Sequence, residues 1–249
     1  MAIIPYGSFG KLSATVTAQK RKARSTLAGL QTFSLLLEAT RAVQPVSVEF
    51  VVADSPRGLA LKSIKLTQGF EGFLQKVFNP TDEVYFVSWV WDFSGNPPLQ
   101  YPGLGATPQS CIIQLKVGQV REFLGAGIVL FPARTVSAGL AVRIMLWESD
   151  QGTRNFGKAM TEVANTIQAS GLTNLLSLVA MATGVTGATI TAAAAATDEL
   201  TKAIGAILQA NSDDYVDFYE GYYPAIDSWT AGDEVHQGHA SEITLTRLM

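Results

Sequence analysis

The run Val84-Tyr85-Phe86-Val87-Ser88-Trp89-Val90-Trp91-Asp92-Phe93 has no solvent side. A half-exposed strand alternates apolar and polar residues, because successive side chains point to opposite faces of the sheet. Here both faces are apolar. The aromatic and β-branched content favours extended backbone, so the run reads as a central strand covered on both faces. Trp89 and Trp91 accordingly read as packing residues rather than as ligand-stacking platforms.

The rest of the chain supplies partners for such a strand. Val46 to Val52 alternates, and the turn cluster Asp54-Ser55-Pro56-Arg57-Gly58 separates it from a further strand over Leu59–Gln68. Cys111–Val117, Gly127–Phe131, Leu140–Leu146, Val216–Tyr222 and Ser241–Leu248 complete the set. The Pro- and Gly-rich stretch from Gly95 to Ser110 reads as loop. Near the N-terminus, Lys11–Gln19 alternates like a strand, a short basic run at Lys20-Arg21-Lys22 reads as a solvated turn, and Ser25–Ala42 has loose helical spacing. Short strands at this spacing predict a mainly β chain, an antiparallel β-sandwich of jelly-roll-like character. Residues 1–57 are expected to form an N-terminal extension packed on a sandwich domain over 58–249.

A helical insertion interrupts the strands at 153–210. From Val163 to Thr197 the chain carries no Asp, Glu, Lys, Arg or His. Phe156, Met160, Val163 and Ile167 share one helical face; Leu200, Ala203, Ile204, Ile207 and Leu208 share another, with Gly184 and Gly187 between them. This pattern predicts an α-helical hairpin. Three roles are open to it: packing on its own sandwich or on a neighbouring subunit, entering a membrane, or forming a small-residue seam in an oligomer. Asn165, Gln168, Asn174 and the many Ala, Thr and Gly residues weaken the membrane reading.

Composition excludes several classes. Charged residues make up 16% of the chain, against roughly 25% in ordinary soluble proteins, which implies much buried surface. A net charge of −3 argues against a general nucleic-acid binder. Cys111 is the one cysteine, so no internal disulfide forms, and it reads as a small buried hydrophobe. The N-terminus lacks a basic n-region and a long apolar run. Synthesis in the cytoplasm without a signal peptide is expected, with leaderless export left open. There is no nucleophile elbow, phosphate loop or dinucleotide fingerprint. The stretch Asp233-Glu234-Val235-His236-Gln237-Gly238-His239 holds both histidines and reads as a solvated turn rather than a metal site. An enzyme is not expected.

Carboxylates bracket the insertion: Trp147-Glu148-Ser149-Asp150 before it and Asp213-Asp214-Tyr215-Val216-Asp217 after it. Together with Leu140-Ala141-Val142-Arg143-Ile144-Met145-Leu146, and with Asp82-Glu83-Val84-Tyr85 ahead of the aromatic strand, they resemble the C-two type calcium- and lipid-binding sandwich of synaptotagmin and protein kinase C. In that family a strand ending in an aromatic leads to Asp-x-Asp, and a short loop then reaches a second acidic pair. The resemblance implies a calcium site formed by Asp82, Glu148, Asp150, Asp213 and Asp214, since calcium takes 6–8 oxygen ligands. This chain departs from the pattern in three ways: Glu148 replaces the first Asp, no Pro follows Asp82, and the third loop holds the whole hairpin.

The expected function is a non-enzymatic binding or interaction module, calcium-dependent as the resemblance implies, engaging a membrane surface or a protein partner, with self-association included. Two alternatives are a structural or cargo component of a phage-like or injection-type assembly, and a pore-forming protein that uses the hairpin.

Overall fold

A computed structural model describes residues 52–69, 81–103, 105–149, 156–169, 199–208, 210 and 214–249. The chain is mainly β, with two antiparallel sheets. In order it forms β1 (Arg57–Leu66), β2 (Asp82–Asp92), β3 (Leu99–Tyr101), a short helix α1 (Pro108–Cys111), β4 (Ile113–Leu115), β5 (Val120–Glu122), β6 (Ile128–Arg134), β7 (Gly139–Glu148), α2 (Phe156–Ala169), β8 (Asp214–Pro224), β9 (Gly232–Gln237) and β10 (Ser241–Leu248). A second helical stretch, α3, covers 199–208.

The first sheet has the order β5-β1-β10-β9, with β6 also on β1. The second has the order β3-β2-β7-β8, with β4 also on β2. In each, one long strand shares a single edge between two short ones: β5 and β6 follow one another along β1, and β3 and β4 along β2.

Two apolar cores result. Leu59, Leu61, Ile64, Ile243 and Leu245 of the first sheet meet Phe86, Val142 and Ile144 of the second in one cluster. The alternate residues of the second sheet, among them Tyr85, Trp89, Met145 and Trp147, form a separate cluster with Phe156, Met160, Val163 and Ile167 of α2 and Leu200, Ile204 and Leu208 of α3. The rings of Tyr85 and Phe156 meet edge to face at 5.1 Å. Strand β2 is therefore covered on both faces, as its composition requires, and its cover is a sheet on one side and helices on the other. The apolar helical faces are buried against the chain's own sheet; each large side chain so buried contributes about 1.5–3 kcal/mol. The segment joining α2 to α3 falls outside the described residues, as do the predicted elements over Lys11–Gln19 and Ser25–Ala42 and most of the strand from Val46.

Several expectations are corrected. Arg57, read as a turn residue, is the first residue of β1 and is fully buried. The stretch Gly95–Ser110 is not wholly irregular: Leu99–Tyr101 pairs with Ser88–Val90, and Pro108 opens α1, where the Ser110 hydroxyl accepts the Thr107 N–H at 3.1 Å. Proline is well suited to a first helical turn, where its missing N–H costs nothing. Cys111 ends α1 and is buried. β5 was not anticipated; its three residues are all exposed and carry no alternation to read. The acidic, histidine-containing stretch near Asp233 is not a solvated turn but strand β9, paired along its length with β10.

Candidate functional site

The acidic end of the second sheet is built by strand register. Glu148, the last residue of β7, lies opposite Val84 of β2 on one side and opposite Asp214 of β8 on the other. Asp82 precedes Val84 by two positions on β2 and so shares its face. Val84 belongs to the core between the sheets. Asp82, Glu148 and Asp214 thus occupy backbone positions on the inter-sheet face at the end from which the helical insertion departs. Asp82 and Glu148 are both buried, and both have interaction partners within the fold. Asp150 and Asp213 lie outside the described residues. Among the described residues no group of three or more His, Cys, Asp and Glu is arranged to hold a metal ion.

Asp217, in the second acidic cluster, has a different task. It lies opposite Leu146, a residue of the core between the sheets, and its carboxylate reaches the β9–β10 turn of the other sheet. Oδ1 accepts the His239 N–H at 3.0 Å, and Oδ2 accepts the Ala240 N–H at 2.9 Å and the Ser241 hydroxyl at 2.6 Å. The Tyr219 hydroxyl joins the same Ser241 oxygen at 2.7 Å. Burial raises the Asp217 carboxyl above its ordinary range, and the hydrogen bonds from Ser241, Ala240 and His239 pull it back. Burial likewise raises the Tyr219 phenol.

On the helical side of the second sheet lies a buried charge pair that sequence reasoning missed. Arg143 of β7 is directly opposite Glu220 of β8. Its Nε and Nη2 donate to Glu220 Oε1 at 3.0 and 2.5 Å, and its Nη1 donates to Thr201 Oγ1 of α3 at 2.8 Å. All three residues are buried. The guanidinium also sits 5.9 Å from the Trp91 ring centre, within cation–π reach.

The far end of the structure is closed by Trp229, held between Arg57 at 5.2 Å and Arg247 at 5.5 Å from its ring centre. Arg57 donates to the carbonyls of Pro224 (2.5 Å), Ala225 (2.7 Å) and Asp227. The indole N–H donates to Leu248 O at 2.7 Å. Beside it, Glu234 takes Arg247 at 3.2 Å, the Tyr223 hydroxyl at 3.2 Å and His236 Nε2 at 3.7 Å. The neighbouring His236 imidazole, with help from Arg247, holds the Glu234 carboxyl below its ordinary range. The acidic groups of β9 are thus held by residues of β10 and β8: Asp233 accepts from Thr246 at 2.6 Å, and His236 is buried while Asp233 is exposed. Among the described residues no helix is long and apolar enough to cross a membrane.

No protein-family model matches the sequence, and a search of curated proteins finds no match.

Proposed function

We propose that this protein is a non-enzymatic binding module whose acidic end takes calcium and whose surface at that end engages a membrane or a protein partner. In this reading the two sheets form a C-two-like sandwich, and α2 and α3 are the arms of a helical hairpin set in its third loop. The observation that supports it is the register of β2, β7 and β8, which gathers Asp82, Glu148 and Asp214 from widely separated parts of the sequence at the root of the insertion. Asp150 and Asp213 adjoin them in sequence. Oxygen donors from several loops suit calcium.

Thermal melting under calcium titration tests this directly. A ligand that binds only the folded chain stabilises it by about 2.7 kcal/mol at a hundredfold excess over Kd, so the melting temperature should climb with calcium and the rise should be lost in Glu148→Gln. Co-sedimentation with anionic liposomes, with and without calcium, separates a lipid partner from a protein one. A melting temperature indifferent to millimolar calcium, with no liposome binding in either condition, sinks the reading.

A second reading, a component of an ordered assembly, draws on a set of exposed apolar residues along β4–β6. Leu124 is 97% exposed, with Val117, Val120 and Val129 also exposed. Light scattering on a concentration series distinguishes it, since a monomer at every concentration counts against assembly.

A further inference from the structure

A buried ion pair is a poor device for adding stability: removing two charges from water costs about as much as their attraction returns, and apolar replacements of similar volume are often neutral or better. Arg143 and Glu220 nevertheless sit within the aromatic core beneath the helices, and the pair extends a hydrogen bond out of the sheet to Thr201 of α3. The buried side chains that join α3 to this face, Trp89 and Met145 against Leu200 and Ile204 among them, form an apolar cluster, and apolar contacts are non-directional. Leu200, Ile204 and Leu208 recur every four residues on α3. A one-turn slip that carries Ile204 and Leu208 into the seats of Leu200 and Ile204 keeps apolar side chains at those two seats. The same slip puts Gly205, which has no hydroxyl, opposite Arg143 and leaves a guanidinium hydrogen without its acceptor. Apolar cores tolerate such rearrangement and lose uniqueness before they lose stability.

We infer that the Arg143–Glu220 pair, through Thr201, is a register device: it selects one docking of α3 on the second sheet and does not serve chiefly to hold it there. Arg143 is the positioning residue, Glu220 fixes the plane of its guanidinium, and Thr201 is the group that is read.

Two variants of the full chain test this. The triple replacement Arg143→Met, Glu220→Leu, Thr201→Val should keep a denaturation midpoint at or above that of the parent. It should also lose much of the near-ultraviolet circular dichroism of Trp89, Trp91 and Trp147, broaden its methyl resonances and bind a hydrophobic dye under native conditions. A triple variant with parental near-ultraviolet and methyl spectra overturns the inference. Thr201→Val alone removes the hydroxyl that accepts from Arg143 across the layers. Its expected result is amide exchange in 199–208 faster by about tenfold or more, with β7 and β8 exchange unchanged. Unchanged exchange in 199–208 overturns the proposal, and so does global unfolding of this single variant, which would make the hydroxyl a stability element instead. If the triple variant does not fold, its failure overturns the expectation that the triad adds little stability.

Discussion

Gly238 occupies a position with no room for a side chain. A Cβ there would lie 2.4 Å from both Asp217 Oδ2 and the Tyr219 hydroxyl. The glycine lets the β9–β10 turn come down onto the carboxylate that receives its N–H groups. Gly238→Ala should therefore cost about 1–3 kcal/mol through overpacking, read as a lowered urea midpoint. Asp217→Asn keeps the shape but replaces one acceptor oxygen with an N–H₂ aimed at existing donors, and should cost about 1–3 kcal/mol. The two belong to one network, so the double variant should fall short of their sum. Glu234 makes a pH prediction. Its folded-state carboxyl is held below the ordinary value of 4.5 by His236 and Arg247, so the stability it contributes is present above that value. It is lost as pH falls through the depressed folded-state range. Melting temperatures from pH 6 downward should decline less steeply in Glu234→Gln than in the parent; parallel curves would remove Glu234 from the account. None of these pairings was legible from sequence. Asp217 stands three residues from Asp214 in one acidic run, a spacing that on a regular strand sets two residues on opposite faces; the bulge in β8 brings both positions to the inter-sheet face.

Elements were legible where their side chains carried a period. β10 is found over Ser241–Leu248 as read. β2, β7 and β8 differ from the reading by a few residues at their ends, where fraying and bulges blur the pattern. The seats of Phe156, Met160, Val163 and Ile167 are all buried, as the helical spacing predicts. β9 was missed because strand pairing there rests on the backbone ladder to β10, while its side chains, Asp233, Glu234, His236 and Gln237, have the composition of a turn. The connection from β8 to β9 depends on Trp229. Trp229→Ala should cost about 3–5 kcal/mol, the usual range for emptying a buried aromatic site, and should release the Arg57 and Arg247 side chains that flank it. Ile204→Ala in α3 should cost about 2–5 kcal/mol. Equilibrium denaturation followed by tryptophan fluorescence measures both.

At the level of the whole molecule, the second sheet is the centre and its two faces are buried by different means. Local pattern determined that β2 would be covered twice, that the chain would be mainly β and antiparallel, and that two amphipathic helices would interrupt it, because alternation and 3.6-residue periodicity are properties of consecutive side chains. Those same patterns are silent about which surface covers which. Arg143 shares a sheet face with Met145 and Trp147, and in a two-layer sandwich that face would meet water, where a charge needs no partner. The helices turn it into a second core and make Glu220 and Thr201 necessary to it. Likewise Asp82, Glu148 and Asp214 are ordinary loop-edge carboxylates in sequence, and only antiparallel registration of three strands brings their positions to one end. The sequence by itself determined the elements whose side chains carry a period, β2, β7, β8, β10 and the helical faces, since those signals are local. Tertiary structure alone decided which charges are buried and with whom, since partners far apart along the chain meet only when layers stack.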